Sequence, residues 1–245
     1  MDSAGPVAVI TGASRGLGAG MATFFLDQGI KIGICARTLP PFGDSQYCLA
    51  RALDVTNAQS VRNFGAEVTQ RFGKIDLWIN NAGLLLPIGP IRDNNAGDFA
   101  QHIAVNVVGV FNGCQTFIRC LHAQGGEGVL INISSGAARN AYAGWSAYCA
   151  GKAAIDRMSE CIALEESSHG LRVHAVAPGV IDSDMQRIIR QCPPEDFPKV
   201  QKFRDLKSTE NFSTPDFVAE RILDLAFNPI HRTDEILLSL PRPQR

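Results

Sequence analysis

The chain has 245 residues, of which 45% are hydrophobic and 19% charged, and its formal net charge is −1. A length of about 250 residues is common for one α/β domain, and this apolar fraction is enough to bury a large core. The near-neutral charge argues against nucleic acid as a partner, because phosphate binding needs a concentrated positive face, and it gives no reason to expect binding to a membrane surface.

Hydrophobic patterning predicts that strands and helices alternate along the chain. Strands are predicted where apolar and β-branched residues form short runs, at 7–11, 30–35, 52–55 (as the end of a strand), 75–80, 129–134, 171–176 and 236–240. Helices are predicted by helical spacing or cap residues, at 16–28, 56–72, 99–121, 146–167 and from Thr214 onward. The alternation predicts an α/β fold, a doubly wound, Rossmann-like, mostly parallel sheet of about seven strands with helices on both faces.

Three segments between these elements refine the prediction. The segment 36–51 contains two consecutive prolines, which leave little room for a full crossover helix. Thr56 is the predicted N-cap of the helix that follows. Residues 184–213 form a polar stretch of about 30 residues, which is long for a passive connection. We interpret it as a substrate-covering lid with short helices, or alternatively as a disordered loop. No segment looks like a linker, and we predict a single domain that spans residues 1–245.

The N-terminus and the cysteines predict a cytoplasmic protein. Residues 1–6 lack the basic start of a secretory signal, and we expect no apolar run of the roughly 18 residues that cross a membrane. The seven cysteines are scattered without a Cys-x-x-Cys pair, so we interpret them as small hydrophobic residues in a reducing compartment. The five histidines are also dispersed, and no metal site is predicted.

A glycine-rich turn joins the first predicted strand to the first helix. It reads Thr11-Gly12-Ala13-Ser14-Arg15-Gly16-Leu17-Gly18, in which the glycines permit a tight turn and a close backbone approach. The following helix N-terminus offers unpaired N–H groups and a positive dipole end to a pyrophosphate. The turn therefore predicts a nucleotide site, since ligands of such sheets bind at the carboxyl ends of the strands. A purely structural turn is the alternative.

The residues after the second predicted strand favour NADP(H) over NAD(H). Ala36 and Arg37 stand where an acidic residue would bind the adenosine ribose of NAD. Arg37 and Arg15 could instead bind a 2′-phosphate, although both could also be solvated surface charges. Asp54 ends the third predicted strand, where its side chain could reach the adenine or, nearly as well, cap the next helix.

Two side chains with catalytic chemistry share one face of a predicted helix. Tyr148 and Lys152 are four residues apart, and a nearby ammonium lowers a tyrosine pKa from its usual value of about 10. Tyr148 could then donate a proton to a carbonyl oxygen, although Tyr-x-x-x-Lys is common by chance. Ser135 follows the fifth strand, where its hydroxyl could bind the same oxygen. Asn106 lies in an apolar helix and needs partners, so it could hold a water, distort the helix or be purely structural.

Together these motifs resemble the short-chain dehydrogenase/reductase family. The motifs that occur in the family's order and spacing are the turn 11–18, Asn80-Asn81-Ala82-Gly83, Asn106, Ser135, Tyr148-x-x-x-Lys152 and Pro178-Gly179. Residues 182–186 are similar to the corresponding stretch of sepiapterin reductases and benzil reductases. Ser183 stands where the family usually has Thr, and its hydroxyl keeps the contact.

The resemblance implies a role for each site residue. Tyr148 is the general acid/base, and Lys152 binds the nicotinamide ribose and lowers the tyrosine pKa. Ser135 positions the carbonyl, and Asn106 holds a water in the proton relay. The expected cofactor-binding residues are Gly12, Ser14, Arg15, Gly16, Leu17, Gly18, Arg37, Asp54, Val55, Asn81, Ala82, Gly83, Tyr148, Lys152, Pro178, Gly179, Ile181 and Ser183.

The predicted activity is NADPH-dependent reduction of a ketone or aldehyde. The alternatives are an alcohol dehydrogenase of the same fold and a non-catalytic NADP-binding sensor. The helices at 99–121 and 146–167 are apolar on more than one face, which together with the resemblance predicts a homodimer or homotetramer. Trp145 precedes Tyr148 by three residues and is either a wall of the substrate pocket or a core residue.

Overall fold

The computed structural model describes residues 5–210 and 212–241. Most of the N-terminal stretch 1–6, Asn211 of the predicted lid and residues 242–245 of the predicted domain therefore lie outside the described residues. One parallel sheet has the strand order β3-β2-β1-β4-β5-β6-β7. Its strands are β1 (Val7–Thr11), β2 (Lys31–Ala36), β3 (Cys48–Ala52), β4 (Leu77–Asn80), β5 (Gly128–Ile133), β6 (Leu171–Ala177) and β7 (Leu237–Ser239). The predicted doubly wound fold is confirmed.

Helices cover both faces of this sheet. They are α1 (Gly16–Asp27), α2 (Ala58–Phe72), α3 (Ala96–Ile103), α4 (Gly109–Gln124), α5 (Ser146–Glu165), α6 (Asp184–Gln191), α7 (Val200–Ser208) and α8 (Pro215–Phe227). A π-helical turn, Ala104–Val108, joins α3 to α4. Thr214 caps α8 as predicted, because its side chain accepts a hydrogen bond from Phe217 N at 3.1 Å.

Successive residues of the central strands point into two separate cores. Ile10 and Ile79 pack on the face that carries α1 and α8, whereas Val9 and Trp78 pack on the face that carries α2, α4 and α5. All four side chains are fully buried. Burial on both faces explains why these strands are continuously apolar instead of alternating between apolar and polar residues.

The third strand lies earlier than the sequence predicts. It is Cys48–Ala52, paired in register with β2 at the edge of the sheet, so the prediction of a strand end at 52–55 was wrong. It contains no β-branched or aromatic residue, so it carries little of the signal that marks a strand. The prediction that 36–51 lacks a full crossover helix is confirmed, since the structure describes this whole segment and records only strand, turn and loop there.

The N-cap of α2 also differs from the prediction. Asn57, not Thr56, caps this helix, and its Oδ1 accepts a hydrogen bond from Ser60 N at 3.0 Å. Both residue types are good caps, so the choice depends on the turn before the helix. In that turn Asp54 Oδ1 accepts a hydrogen bond from Thr56 N at 2.9 Å, which places Thr56 one residue too early.

The helical stretch Ala96–Gln124 is more apolar than we expected. It has 29 residues and an 18-residue window with a mean hydropathy of 1.2, so by length and composition alone it could cross a membrane. This corrects the expectation that no such stretch is present. Half of the window is buried within the protein, where α4 packs on β4, β5 and α2. We therefore interpret the stretch as a core helix of the α/β layers.

Candidate active site

The glycine-rich turn lies directly against the loop that follows β4. Gly12 has a φ of 70°, and a Cβ there would lie 2.7 Å from Ala82 Cα. A Cβ on Gly18 would lie 2.4 Å from Gly12 O. Asn81 Nδ2 donates hydrogen bonds to Thr11 O at 2.9 Å and to Gly12 O at 3.1 Å. The Thr11 hydroxyl accepts from the backbone N–H groups of Asn81 and Ala82. These bonds hold the two loops at a distance that only glycine permits.

The N-terminus of α1 is available to an anion. Arg15 occupies the N-cap with an extended backbone, and its side chain makes no capping hydrogen bond. Gly16 has a φ of 57°, and no acidic side chain lies in the first turn. Ser14 and Leu17 are half-buried beside it. The first N–H groups and the positive end of the helix dipole thus remain free to bind phosphate.

The two arginines predicted to bind a 2′-phosphate lie at one corner of the sheet. Arg37 is exposed immediately after β2, and the turn that carries Arg15 is tied to the end of β2 by a hydrogen bond from Ala13 N to Cys35 O at 3.1 Å. Arg15 pairs with Asp184 on α6 at 3.2 Å, with 75% of its side chain exposed. No ion pair is recorded for Arg37 within residues 5–210 and 212–241.

Asp54 and Val55 follow β3 at the same edge. Asp54 uses Oδ1 in the turn before α2, so it does not cap the helix. Val55 is buried, and its carbonyl oxygen accepts a hydrogen bond from Asn112 Nδ2 at 2.9 Å. A Cβ on Gly109 would lie 2.6 Å from Val55 Cγ2, so this loop is held tightly against α4.

The loop after β6 closes the other side of the glycine-rich turn. Gly179, which follows Pro178, has a φ of 84°, and Ile181 is buried in the core below. Ser183 is the N-cap residue of α6, and a Cβ on Gly16 would lie 3.8 Å from Ser183 Cβ. The structure therefore brings these predicted residues to the same cleft as the turn 11–18.

Asn106 is a fully buried residue of the π-helical turn. Its Nδ2 donates to Leu84 O at 2.8 Å, and its Oδ1 accepts from Leu84 N at 2.7 Å. Nδ2 also lies 2.7 Å from His102 Nε2, whose Nδ1 bonds Leu86 O at 2.8 Å. This pattern fits the His102 tautomer that carries its proton on Nδ1. The helix is distorted at Asn106, one of the options that the sequence left open, and its role in holding a water stays a prediction.

The sequence did not predict His102 as a member of the site. It is fully buried, and burial lowers the pKa of its imidazole, with the positive charge of Lys152 acting in the same direction. A neutral ring suits its contacts, because Nε2 must accept the hydrogen bond that Asn106 donates. Its position four residues before Asn106, on the same helical face, is the signal that could have identified it.

Ser135, Tyr148 and Lys152 meet at the carboxyl end of β5. The hydroxyl of Ser135 accepts from Ala137 N at 3.1 Å and lies near enough to the Tyr148 phenol to lower its pKa. Lys152 Nζ lies 5.7 Å from the centroid of the Tyr148 ring and donates to Ile133 O at 2.7 Å. A Cβ on Gly83 would lie 3.9 Å from this Nζ, so the loop after β4 passes beside the ammonium.

Burial dominates the protonation of this cluster. It raises the pKa of Tyr148, whereas the hydrogen bond from Ser135 lowers it. The net direction is opposite to the one expected from the sequence. Burial also lowers the pKa of Lys152 to about 8, and the carboxylate of Asp156 opposes that shift.

Asp156 is a second residue that the sequence analysis missed. It lies one helical turn after Lys152 and is only 7% exposed. The Ser134 hydroxyl donates a short hydrogen bond to Asp156 Oδ1. Burial raises the pKa of this carboxyl group, with the Ser134 bond opposing the rise. The four-residue spacing from Lys152 was the available signal.

Trp145 connects the predicted lid to the catalytic helix. Its ring stacks on Phe197 with centroids 4.5 Å apart and lies 5.3 Å from the ring of Tyr148. Phe203 of α7 packs on the same side at 5.4 Å. Trp145 is only 4% exposed, so it is a core residue, and its role as a wall of the substrate pocket stays a prediction. The stretch 184–213 contains the short helices α6 and α7, whereas its lid function stays a prediction.

Comparison with known proteins agrees with this geometry. The family model for short chain dehydrogenases matches residues 6–193. The chain belongs to the short-chain dehydrogenase family. Members of this family use a nicotinamide dinucleotide as cofactor and interconvert alcohols and carbonyl compounds. Benzil reductase ((S)-benzoin forming) of Bacillus subtilis is 31% identical over 224 residues, which cover 89% of this chain and 91% of the relative.

Two solved structures of high similarity extend the comparison. The KRED1-Pglu enzyme has a TM-score of 0.84 and 29% identity, and the match covers 91% of this chain and 95% of that one. The 3-ketoacyl-(acyl-carrier-protein) reductase of Brucella melitensis, solved with NADH, has a TM-score of 0.79 and 28% identity over 96% of both chains. The family fold thus extends beyond residue 193, the last residue that the family model matches.

The buried ammonium leads to a prediction about stability and pH. Because the pKa of Lys152 is about 8 in the folded protein and about 10.4 in an unfolded chain, the unfolded state binds more protons between these values. Wild-type stability should therefore rise with pH in this window relative to Lys152→Met, which has no titrating group. Urea unfolding of both proteins at pH 7 and 9.5 should show a relative gain of about 1–2 kcal/mol for the wild type. If the difference in free energy of unfolding between the wild type and Lys152→Met is the same at both pH values, the lowered pKa of a buried Lys152 is contradicted.

Proposed function

We propose that this protein is an NADPH-dependent carbonyl reductase that reduces a ketone or aldehyde, with Tyr148 as the proton donor. The observation that carries the proposal is the convergence of Ser135, Tyr148 and Lys152 at the carboxyl end of β5, beside a glycine-lined cleft. A chain that only senses the cofactor has no need for this set, and we therefore favour an enzyme.

The cleft suits a dinucleotide. Side chains at Gly12 and Gly18 would collide with backbone atoms, so the chain presents bare backbone where a pyrophosphate approaches α1. At the other end, Gly83 leaves room beside Lys152 Nζ, where we place the nicotinamide ribose. When bound, the reduced nicotinamide supplies the hydride, and the protein supplies orientation and the proton.

Tyr148 is suited to act as a general acid. Because burial raises its pKa, the neutral phenol is its dominant form near pH 7 and carries the proton to be donated. The Ser135 hydroxyl is oriented by its bond to Ala137 N and would hold the substrate oxygen beside the phenol. After proton transfer, the ammonium of Lys152 would stabilise the phenolate.

The aromatic wall beside Tyr148 favours a carbonyl with apolar or aromatic substituents. Trp145 lies beside Tyr148 in this wall, and the buried rings of Phe197 and Phe203 pack behind it. The Bacillus subtilis relative is a benzil reductase that forms (S)-benzoin, which is consistent with an aryl ketone or diketone. We propose that residues 184–213 act as a substrate lid on a single cytoplasmic domain.

Oxidation of an alcohol by the same residues is the second candidate. The family is described as dehydrogenases, and the reverse reaction would use Tyr148 as the base. The direction in the cell then follows the ratio of oxidised to reduced cofactor. Assays in both directions, with ketones and diketones against NADPH and with the matching alcohols against NADP⁺, give the two rates that, together with the cellular cofactor ratio, decide between the candidates.

Tyr148→Phe tests the chemistry. The variant removes the acid with little change in shape, so kcat on a good ketone should fall by roughly 10²–10⁴-fold while NADPH binding persists. Lys152→Ala should weaken both turnover and NADPH affinity, because the Lys152 ammonium would stabilise the Tyr148 phenolate and also bind the nicotinamide ribose. Single-turnover kinetics and fluorescence titration of NADPH provide the two readouts. A Tyr148→Phe enzyme with more than about a tenth of wild-type kcat, with chemistry rate-limiting, would rule out Tyr148 as the donor.

Arg37→Asp tests the choice of NADPH. The guanidinium of Arg37 is exposed after β2, and an acid there would favour the NAD ribose instead. A charge-assisted phosphate contact is worth roughly 1.5–3 kcal/mol, so the preference for NADPH over NADH should shrink by about 10–150-fold. Arg71→Asp is the matched control, because Arg71 lies in the last turn of α2, away from the carboxyl ends of the strands. Equal affinity of the wild type for both cofactors would refute the proposal.

We also propose that α4 and α5 form the interface of a homodimer or homotetramer. The groove between them contains Phe111, Ile118 and Met158, and half of the most apolar window of Ala96–Gln124 is not buried within the chain. Phe111 is 49% exposed, and Leu164 on α5 is 78% exposed. Exposed apolar surface of this kind is typical of a protein interface.

Phe111→Glu should shift the protein towards monomer. A charge at this position would have to be buried without a partner if the interface forms. Light scattering after size exclusion should show the dimer or tetramer in the wild type and in the control variant Tyr47→Glu. Tyr47 precedes β3 and is 44% exposed, which is similar to Phe111. A monomeric wild type, or an unchanged mass for Phe111→Glu, would contradict the interface.

A further inference from the structure

The ends of α4 and α5 bring together three side chains that commonly bind metals. His122 lies in the last turn of α4, Glu166 is the C-cap residue of α5, and His169 follows three residues later. Their donor atoms all lie within 4.8 Å of one another. The sequence predicts no metal site, because the histidines are dispersed and 44 residues separate His122 from Glu166. The fold brings these residues together, because both helices end at the same place.

The Glu166 carboxylate already contacts both imidazoles. Glu166 Oε2 lies 2.6 Å from His122 Nε2 and 3.5 Å from His169 Nδ1. The two imidazole rings have centroids 4.8 Å apart and are tilted by 36°. Ligands of a tetrahedral zinc ion, each about 2.0–2.2 Å from the metal, stand roughly 3.4 Å from one another. Small rotations of exposed side chains therefore suffice to surround an ion.

The surrounding structure favours a cation at this place. Gln124, the last residue of α4, bonds both backbone groups of Ile75, at 3.0 and 2.8 Å, and His169 N donates to Glu166 O at 2.9 Å. Both ligand-bearing segments are thus anchored. Two helix C-termini converge here, and the negative ends of their dipoles attract positive charge. The side chain of Glu166 is only 13% exposed, whereas those of His122 and His169 are 44% and 51% exposed and leave an entry path.

We propose that His122, Glu166 and His169 form a binding site for a divalent transition-metal ion, with Zn²⁺ as the best match and water as the fourth ligand. Two imidazoles and one carboxylate are a ligand set that zinc uses. Glu166 follows Tyr148 by 18 residues along α5, which corresponds to about 27 Å of helix. The ion would therefore link two helix ends and take no part in carbonyl chemistry, so this inference is independent of the proposed function.

Calorimetric titration of the EDTA-treated full chain with ZnCl₂ tests the site. The wild type should bind one ion, and His122→Ala and His169→Ala should each weaken binding at least by the roughly 10–100-fold that loss of a supporting residue costs. His231→Ala is the matched control. His231 also contacts a carboxylate, that of Asp224 at 2.9 Å, but this pair contains only one imidazole. Saturating Zn²⁺ should raise Tm by about 5 °C or more, and EDTA should reverse the rise. Carbonyl turnover should be the same in all four proteins.

Two further measurements distinguish this site from the thiols. Four of the seven cysteines are not fully buried and could bind zinc: Cys120, Cys149, Cys161 and Cys192. Co²⁺ bound to the wild type should therefore give a spectrum without a thiolate charge-transfer band. In the wild type and in His231→Ala, Zn²⁺ should protect His122 and His169 from diethyl pyrocarbonate, as measured by mass spectrometry. No uptake of zinc, equal affinity in the wild type and both alanine variants, a thiolate band, or unprotected histidines would each overturn the proposal.

Discussion

The close contact between the loops after β1 and β4 is the constraint on which the rest of the site depends. A Cβ at Gly12 would lie 2.7 Å from Ala82 Cα, so the approach requires glycine. The side chains of Thr11 and Asn81 form hydrogen bonds with backbone groups at the ends of the strands, which would otherwise have no partner. The same loop then reaches Leu84, which Asn106 holds through two hydrogen bonds. One contact thereby positions both the phosphate-binding turn and the start of the catalytic region.

The sequence predicts the central strands well because they are buried on both faces and consist of apolar runs. The edge strand β3 was misplaced, since its pairing with β2 is a long-range property and the strand has no β-branched or aromatic residue to give a local signal. The turn around Asp54 likewise decided between Thr56 and Asn57 as the cap. The distortion at Asn106 was foreseeable, because a buried amide needs partners, but the sequence did not name His102 as that partner.

Spacing identified Tyr148 and Lys152 but not their protonation. Helical periodicity places them on one face, whereas the direction of each pKa shift depends on burial, which spacing does not reveal. The cluster of His122, Glu166 and His169 was hidden for a related reason. Residues far apart in sequence become neighbours only because α4 and α5 pack on the same face of the sheet and end together.

The ion pair between Arg15 and Asp184 joins the phosphate-binding turn to the first helix of the predicted lid. Arg15 has one guanidinium, and an anion that binds it competes with the carboxylate of Asp184. Arg187, on the same helix, also contacts Asp184 at 3.4 Å and remains as its partner when Arg15 turns away. If Arg15 binds the 2′-phosphate as we propose, occupancy of the cleft and the contact between Arg15 and α6 would be coupled, and by reciprocity each would affect the other with the same free energy. In that proposal, a change at α6 would report whether the cleft is filled.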